Sequence, residues 1–306
     1  FSQTNTCPNC AIQLQLINKE GNSLLNDNNN IVKNVAKLLT MGKILALKNT
    51  GGYLLLCKAN ETSSIQLIRE RKKRISKPFA VLFKNIEAAK MVVTINDYEK
   101  TALESPIAPI VLCKIRNQNT TIVDIKNVAP GLDKIGVMLP NSALLFSLFQ
   151  YIDFPVIATS ANISGAPIIY KDEEAIANLF DFADYIVSYN REIVTPQDDS
   201  LIQFTNLGQQ IILRRSRGMA PNFFDAPDFK YKESILCTGA DMKSAFSIFH
   251  QNKIYVSQFL GNQSSFEAQS SYQNSLAHMQ SILQTKLKRI IIDKHPKYFS
   301  SLINVL

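Results

Sequence analysis

No stretch of about 18 uncharged apolar residues occurs in this 306-residue chain, so the sequence offers no candidate transmembrane helix. Nor does a basic start followed by an apolar core suggest a signal peptide. A first residue of Phe1 in place of Met is the expected mark of a cut or processed end. Internal repeats are absent, and the Asn-rich stretch Asn26–Asn30 is the sole low-complexity tract. Cysteine is scarce: Cys7, Cys10, Cys57, Cys113 and Cys237 are an odd, scattered set, which argues against a disulfide framework and for a reducing compartment. Cytoplasm is therefore the expected location. What is present is a 46% hydrophobic content, enough for about two domains. Thirty-three Lys and Arg against 25 Asp and Glu give a formal charge of +8, which favours an anionic partner: nucleotide, phosphate, nucleic acid or acidic protein.

Residues 1–30 are polar and read as a linker. Ile31, Val35, Leu38 and Leu39 then repeat at helical spacing, with Asn30 as the expected N-cap and Gly42 as the stop. Strands are expected over Lys43–Lys48, Tyr53–Cys57, Phe79–Phe83, Ile110–Ile115, Val156–Ala158, Tyr185–Ser188, Ser200–Phe204 and Gln210–Arg214, with helices at Ile65–Arg74, Tyr98–Leu103 and Glu173–Phe180. Strands interspersed with helices imply an α/β sheet covered by helices. Asn222–Ser234 has no clear periodicity and reads as a second linker. Beyond it, strands fit Ile235–Cys237, Ala245–His250, Lys253–Gln258 and Arg289–Asp293, and a helix fits Leu276–Leu287.

The densest positive cluster is Arg69–Pro78, with Arg69, Arg71, Lys72, Lys73, Arg74 and Lys77 inside nine residues. A solvated helix end accounts for such a run in isolation. Its setting between a helix and an apolar strand, with Pro78 disfavouring helix at Lys77, can instead aim several cations into one cleft. A triphosphate carries about four negative charges, and converging Lys and Arg are what binding it requires. TSANISG, Thr159–Gly165, follows an apolar strand with small hydroxyl and amide side chains, suited to a phosphate or adenine and equally to a capped turn. DDSLI and LRRSRG, Asp198–Ile202 and Leu213–Gly218, add a carboxylate pair, a hydroxyl and three arginines. Singly these read as surface; jointly they look like a nucleotide site with an acid able to face Mg²⁺.

These segments, together with KILALKNTGGYLLLCKAN, SPIAPIVL and VAPGLDKIGVMLP, stand in the order and approximate spacing of a YrdC-like domain. VAPGL…GVMLP and LRR…RG.AP resemble the version found in HypF-type carbamoyltransferases, which mature NiFe hydrogenases. The resemblance covers nearly all of residues 6–306. It implies an open twisted α/β sheet with a basic cavity over residues 31–222, a linker at 223–234, and a partial actin/Hsp70-like, ribonuclease H-like lobe over 235–306. It further implies ATP as cofactor, with carbamate or carbamoyl phosphate as carbamoyl source. Lys72, Arg74 and Lys77 would hold the phosphates, Ser160 and Asn162 would contact the nucleotide, and Ser200 and Arg214 would complete the pocket. Asn49 and Thr50 lie in the loop where the family positions the acyl donor, and Thr50 is counted with the nucleotide contacts. In the second lobe Gly239 and Lys243 would approach a phosphate.

Cys7 and Cys10 form a CPNC knuckle, half of the four ligands that a closed zinc site needs. By residues alone, an inert or redox pair is as good a reading. In the HypF family this knuckle ends a zinc-finger region with partner cysteines upstream, so residues 1–30 are expected to be a zinc-finger remnant. The family passes the carbamoyl group to a HypE-like acceptor. The shared core leaves two competitors, a threonylcarbamoyl-adenylate synthase for tRNA modification and a non-catalytic module binding nucleotide or double-stranded RNA. Departures from the HypF pattern are Ile75 for Pro, Asn141–Leu145 (NSALL) for Tyr-Thr-Pro-Leu-His, Pro196 for Arg and Phe259 for His.

Overall fold

The computed structural model describes residues 11–24, 27–162, 167–227, 229 and 231–302. It divides into two compact bodies. The first comprises the described residues of 11–161, 168–196 and 202–211; the second comprises those of 162–167, 197–201 and 212–302. The second body includes the earlier segment 197–201 because Asp198–Ser200 and Arg214–Arg217 bond to one another and group with the later chain. Each body is mixed α/β.

In the first body the strands are β1 (Leu14–Ile17), β2 (Leu45–Asn49), β3 (Gly52–Lys58), β4 (Ala80–Leu82), β5 (Val93–Thr94), β6 (Ile110–Ile115), β7 (Lys134–Met138), β8 (Val156–Ser160), β9 (Tyr185–Tyr189), β10 (Leu201–Phe204) and β11 (Gln210–Arg214). They form one open sheet in the order β1-β9-β2-β3-β8-β4-β7-β6-β10-β11, with β5 on β6. The boundary between the bodies falls within β10 and β11. Parallel pairs, β2 with β9 and β4 with β7, alternate with antiparallel ones. Its helices are α1 (Asn28–Thr40), α2 (Thr62–Arg71), α3 (Ile86–Lys90), α4 (Asp97–Leu103), α5 (Ile125–Val128), α6 (Ala143–Leu148) and α7 (Asp172–Asn178).

Helix α1 buries Ile31, Val32, Val35, Ala36 and Leu39, the stripe that the spacing predicts. Its cap is Asp27, not Asn30: the Asp27 carboxylate accepts from the Asn29 amide at 3.3 Å, and Asn28–Asn30 are already helical. Helix α2 stops at Arg71, short of the expected Arg74, because Lys73 takes φ 49° and turns the chain out of the helix. Strand β1 occupies part of the stretch read as linker, where Leu14, Leu16 and Ile17 are buried beside β9. Its short alternation is hard to distinguish from loop in a polar context.

Strand β2 is buried along its whole length, Lys48 included. Lys48 is 2% exposed, lies 2.7 Å from the Asp172 carboxylate and donates to the Tyr189 carbonyl at 3.1 Å. The Tyr53 hydroxyl donates to the same carboxylate at 2.7 Å and also bonds Ser188 at 3.0 Å. Burial first, and then Asp172, push the Tyr53 phenol above its ordinary value. The network fixes β2, β3, β9 and the start of α7. At the β2–β3 turn Gly52 has φ 148°, and a Cβ there would sit 2.7 Å from the Ile168 side chain and 3.0 Å from the Ile169 carbonyl. Only glycine fits.

In the second body β12 (Phe223–Asp225), β13 (Ile235–Cys237), β14 (Ser247–His250), β15 (Lys253–Val256) and β16 (Arg289–Ile291) pair in the order β12-β15-β14-β13-β16, with β13 and β16 parallel. Strand β12 lies inside the expected second linker and pairs with β15. Helix α8 (Phe266–Leu283) begins ten residues before the expected start, where Ser265 caps it through the Ala268 amide. Leu236, Phe246, Ile248, Leu260, Tyr272, Leu276, Met279 and Leu287 form the core beneath it.

Replacing Lys48 by Met keeps the stem but strips Asp172 and Tyr53 of their cation. Asp172 retains some solvent, so the loss of stability is expected at about 3 kcal/mol, the low end for breaking a buried pair. A lower urea midpoint for the first body at unchanged slope checks it; an unchanged midpoint would show the pair to be dispensable.

Candidate nucleotide-binding site

Three segments meet at one end of the first sheet: the basic loop between α2 and β4, the C-terminal end of β8, and the β2–β3 turn. Strand β8 lies between β3 and β4, with Ser160 opposite Leu54 and Ala158 opposite Ala80. The chain entering β4 therefore crosses beside Thr159 and Ser160. Lys72 is 5% exposed and its ammonium donates to the Ser160 carbonyl at 2.8 Å. Arg74 donates to the Thr159 hydroxyl at 2.9 Å and to the carbonyls of Lys77, at 3.1 Å, and Pro78. Lys77 is exposed on the same loop. Two of the three expected phosphate-holding cations are thus gathered around the end of β8, and the third shares their loop.

Sequence reasoning did not separate the roles inside the run. Arg69 organises it: its guanidinium donates to the carbonyls of Arg74 at 2.8 Å, Lys77 at 3.2 Å and Ile75 at 3.3 Å. On its other side it donates to Asn127 at 2.8 Å and Val128 at 3.2 Å. Arg69 and Arg74 both lie 4.6 Å from the centroid of Phe79. Burial lowers the Arg69 pKa from its ordinary value, yet a guanidinium stays charged in proteins. Arg71 has a further task, pairing with Asp184 at 2.9 Å. The available signal was the residue type: a fork of five donors suits several carbonyls at once, where a lysine would not. Ile75, at 93% exposure, points away from this framework.

The turn expected to place the acyl donor is positioned by the network beneath it. Asn49 ends β2 and is 5% exposed, and the Tyr189 hydroxyl donates to its carbonyl at 3.3 Å. Its side-chain amide donates to the Asn141 amide oxygen at 3.0 Å. Thr50 is exposed in the turn that follows.

Asn162, Ser200 and Arg214 belong to the second body. Ser200 is fully buried; its hydroxyl donates to the Arg217 carbonyl and accepts from the Ser216 amide, each at 2.9 Å. Arg214 donates to the Asp199 carbonyl at 2.8 Å, pairs with Asp198 at 3.3 Å and lies 5.9 Å from the Phe259 ring centroid. Asp199 pairs with Arg217 at 2.7 Å. The carboxylates expected to face Mg²⁺ instead face arginines. Among the described residues no three His, Cys, Asp or Glu side chains gather into a metal-binding group. Cys7 and Cys10, and with them the zinc expectation, lie outside the described residues.

Around the second expected phosphate loop, Gly239 has φ 69°, and a Cβ there would lie 2.1 Å from the Ala245 carbonyl. Asp241 accepts from the backbone amides of Phe299 at 2.7 Å and Ser300 at 3.0 Å, and Ser300 donates to the Gly239 carbonyl at 3.0 Å. Lys243, at φ 50°, donates its amide to Asn262 at 2.9 Å.

Comparison with known proteins places the fold in a family. The family model for Sua5, YciO and YrdC proteins, described as telomere recombination, matches residues 37–216. The chain belongs to this YrdC-like family. A second model, the HypF Kae1-like domain, matches residues 230–304, so the succession of domains is that of HypF-type carbamoyltransferases. The carbamoyltransferase HypF of Synechocystis sp. is 33% identical over 288 residues, covering 94% of this chain and 37% of the relative. A probable carbamoyltransferase HypF of Methanocaldococcus jannaschii is 34% identical, covering 92% of this chain and 36% of the relative. The chain thus spans little more than a third of the curated relatives it matches. Among solved structures, full-length HypF in a phosphate- and nucleotide-bound form superposes with a TM-score of 0.90 at 33% identity, over 98% of this chain and 38% of that one. Sua5 of P. abyssi, at 18% identity and a TM-score of 0.54 over 61% of this chain and 57% of that one, shares the fold. Among the described residues no helix is long and apolar enough to cross a membrane.

Because Arg69 shapes the YrdC-like basic loop, Arg69→Ala is expected to lower stability by about 2 kcal/mol through lost charge-assisted hydrogen bonds. Nucleotide affinity is expected to fall about tenfold with it, and Arg69→Lys to restore little of either. Calorimetric titration with ATP beside thermal unfolding reads both. Unchanged affinity in the folded Ala variant would remove Arg69 from the site.

Proposed function

We propose that the first body binds ATP and activates a carbamoyl group as carbamoyl adenylate, the reading in which this chain serves the HypF pathway of NiFe hydrogenase maturation. The observation that carries it is the gathering of Lys72 and Arg74 around Thr159 and Ser160, on a loop whose shape Arg69 sets. In this reading Lys72, Arg74 and Lys77 neutralise the triphosphate, and the Asn49–Thr50 turn places the acyl donor.

A carbamate oxygen attacks the α-phosphorus. The new bond is carbamate O to Pα; the bond broken joins Pα to the oxygen bridging it to the β-phosphate, and the electron pair leaves with pyrophosphate. Carbamate enters directly or after hydrolysis of carbamoyl phosphate to carbamate and phosphate. No proton needs to move in the displacement, so the site asks for alignment and charge stabilisation and for no covalent nucleophile. Cations held by backbone carbonyls suit this, since they are oriented before the reaction begins. Transfer of the carbamoyl group to the thiol of a HypE-like acceptor would follow on the Kae1-like domain. The relatives' names and the HypF structure with bound nucleotide support the reading. The fold shared with Sua5 keeps threonylcarbamoyl-adenylate synthesis as the competing reaction of the same site.

Pyrophosphate release from ATP, measured with carbamoyl phosphate, carbamate, or L-threonine plus bicarbonate, tests the proposal. Release is expected with a carbamoyl donor and should fall on the order of a hundredfold in Lys72→Ala. Release with threonine alone would move the reaction to tRNA modification. No release with any donor, together with RNA binding that weakens steeply with salt, would leave a binding module.

A further inference from the structure

The β2–β3 turn meets the chain after β7 through two side-chain amides. Asn49 donates from Nδ2 to Oδ1 of Asn141 at 3.0 Å. The remaining atoms, Oδ1 of Asn49 and Nδ2 of Asn141, are buried and have no hydrogen-bond partner among the described residues. Exchanging oxygen and nitrogen in both amides leaves the same inventory, one unused donor and one unused acceptor. Neither residue is loosely held. Asn49 closes a buried strand, is 5% exposed, and pairs across the turn with Gly52. Asn141 is fixed between Pro140 and Ser142, whose hydroxyl caps α6 through the Leu145 amide at 3.4 Å. Two adjacent orphaned amide atoms are costly for a structural contact, and a pair of apolar side chains would fill the same space without that penalty.

We infer that Asn141, with Asn49, reads the amide edge of the acyl donor. This deepens the function proposed above and rests on it for the place of the donor. A carbamoyl group is planar and carries an N–H donor beside a carbonyl acceptor. Inserted at the pair, its N–H meets the unused acceptor and its carbonyl the unused donor, so both orphaned atoms are satisfied by one ligand edge. An acyl group with methyl in place of the amino group has the carbonyl but no donor and leaves the acceptor bare. Such an unpaired buried group is what makes a polar site reject the analogue that lacks the matching atom. Asn141 opens the NSALL segment, one of the places where this chain departs from the HypF pattern.

Direct binding separates this inference from the adenylation reading. Carbamoyl phosphate and acetyl phosphate, which differ in that one group, are titrated into the full 306-residue chain and into Asn141→Leu and Asn141→Asp. ATP titrations and thermal unfolding run alongside. The wild-type chain is expected to prefer carbamoyl phosphate by about tenfold or more, and Asn141→Leu to lose that preference and about tenfold in carbamoyl phosphate affinity. ATP affinity should stay within about twofold; the unfolding midpoint is expected to fall modestly in Asn141→Leu, since Asn49 Nδ2 loses its acceptor, and affinities are compared on the folded protein. Asn141→Asp keeps the shape, replaces the donor by a carboxylate oxygen, and should also lose affinity; it serves if the Leu variant does not fold. Equal affinity for the two phosphates in the wild type, or an unaltered preference in either folded variant, overturns the inference. Preference without pyrophosphate release keeps the amide reading while removing the adenylation step; release with a preference indifferent to Asn141 does the reverse.

Discussion

The constraint on which the first body depends is that a dense run of positive charge must be held together and oriented. Six cations fall within nine residues, and like charges that close repel. The chain meets this with carbonyl oxygens. Arg69 spreads its guanidinium over the carbonyls of Arg74, Ile75, Lys77, Asn127 and Val128, and Arg74 and Lys72 lean on those of Lys77, Pro78 and Ser160. Carbonyl dipoles orient a cation without neutralising it. A carboxylate in the same place would have fixed the geometry and cancelled the field. Arg71 pairs with an acid, Asp184, just before β9.

The second body shows the opposite arrangement. There Asp198 and Asp199 each hold an arginine, and Ser200 spends both hydrogen-bonding directions of its hydroxyl on backbone. Those motifs build a stable corner of the fold, which is a sufficient reason for their residue types. Similar restraint shapes the loop at Gly239, where the turn is held by Asp241 and Ser300 and the glycine is required by a carbonyl that a Cβ would strike.

Buried Lys48 links these themes to the β2–β3 turn. It brings β2 and β9 into register with α7 through one carboxylate, and it thereby sets the position of the next residue, Asn49. The unsatisfied amides of Asn49 and Asn141 stand just beyond this rigid network. Uncompensated polarity next to a tightly satisfied network is where a ligand is most easily accounted for, because a local rule is broken there.

Much was legible from the residues alone. Strands β6, β11 and β13 have the ranges that the apolar runs predict, since each is short, apolar and bounded by turn residues. The order of motifs led to the YrdC-like family and to the HypF succession of domains, because phosphate chemistry restricts which residue types can stand at a strand end. The sequence could not apportion work within a motif. Whether an arginine faces ligand, carbonyl or carboxylate depends on what folds against it from 50 or more residues away, as with Arg69 and Asn127 or Arg71 and Asp184. Strands β1 and β12 were hidden in polar stretches, because a short strand draws its stability from a partner, β9 or β15, that local sequence does not reveal. The Asn49–Asn141 contact was likewise invisible, joining a turn to a segment 92 residues away. Composition and motif order thus determined the family and the succession of domains to which this chain belongs. Tertiary structure alone decided which side chains are spent on the fold and which remain for a ligand, because hydrogen-bond satisfaction is a property of the packed chain.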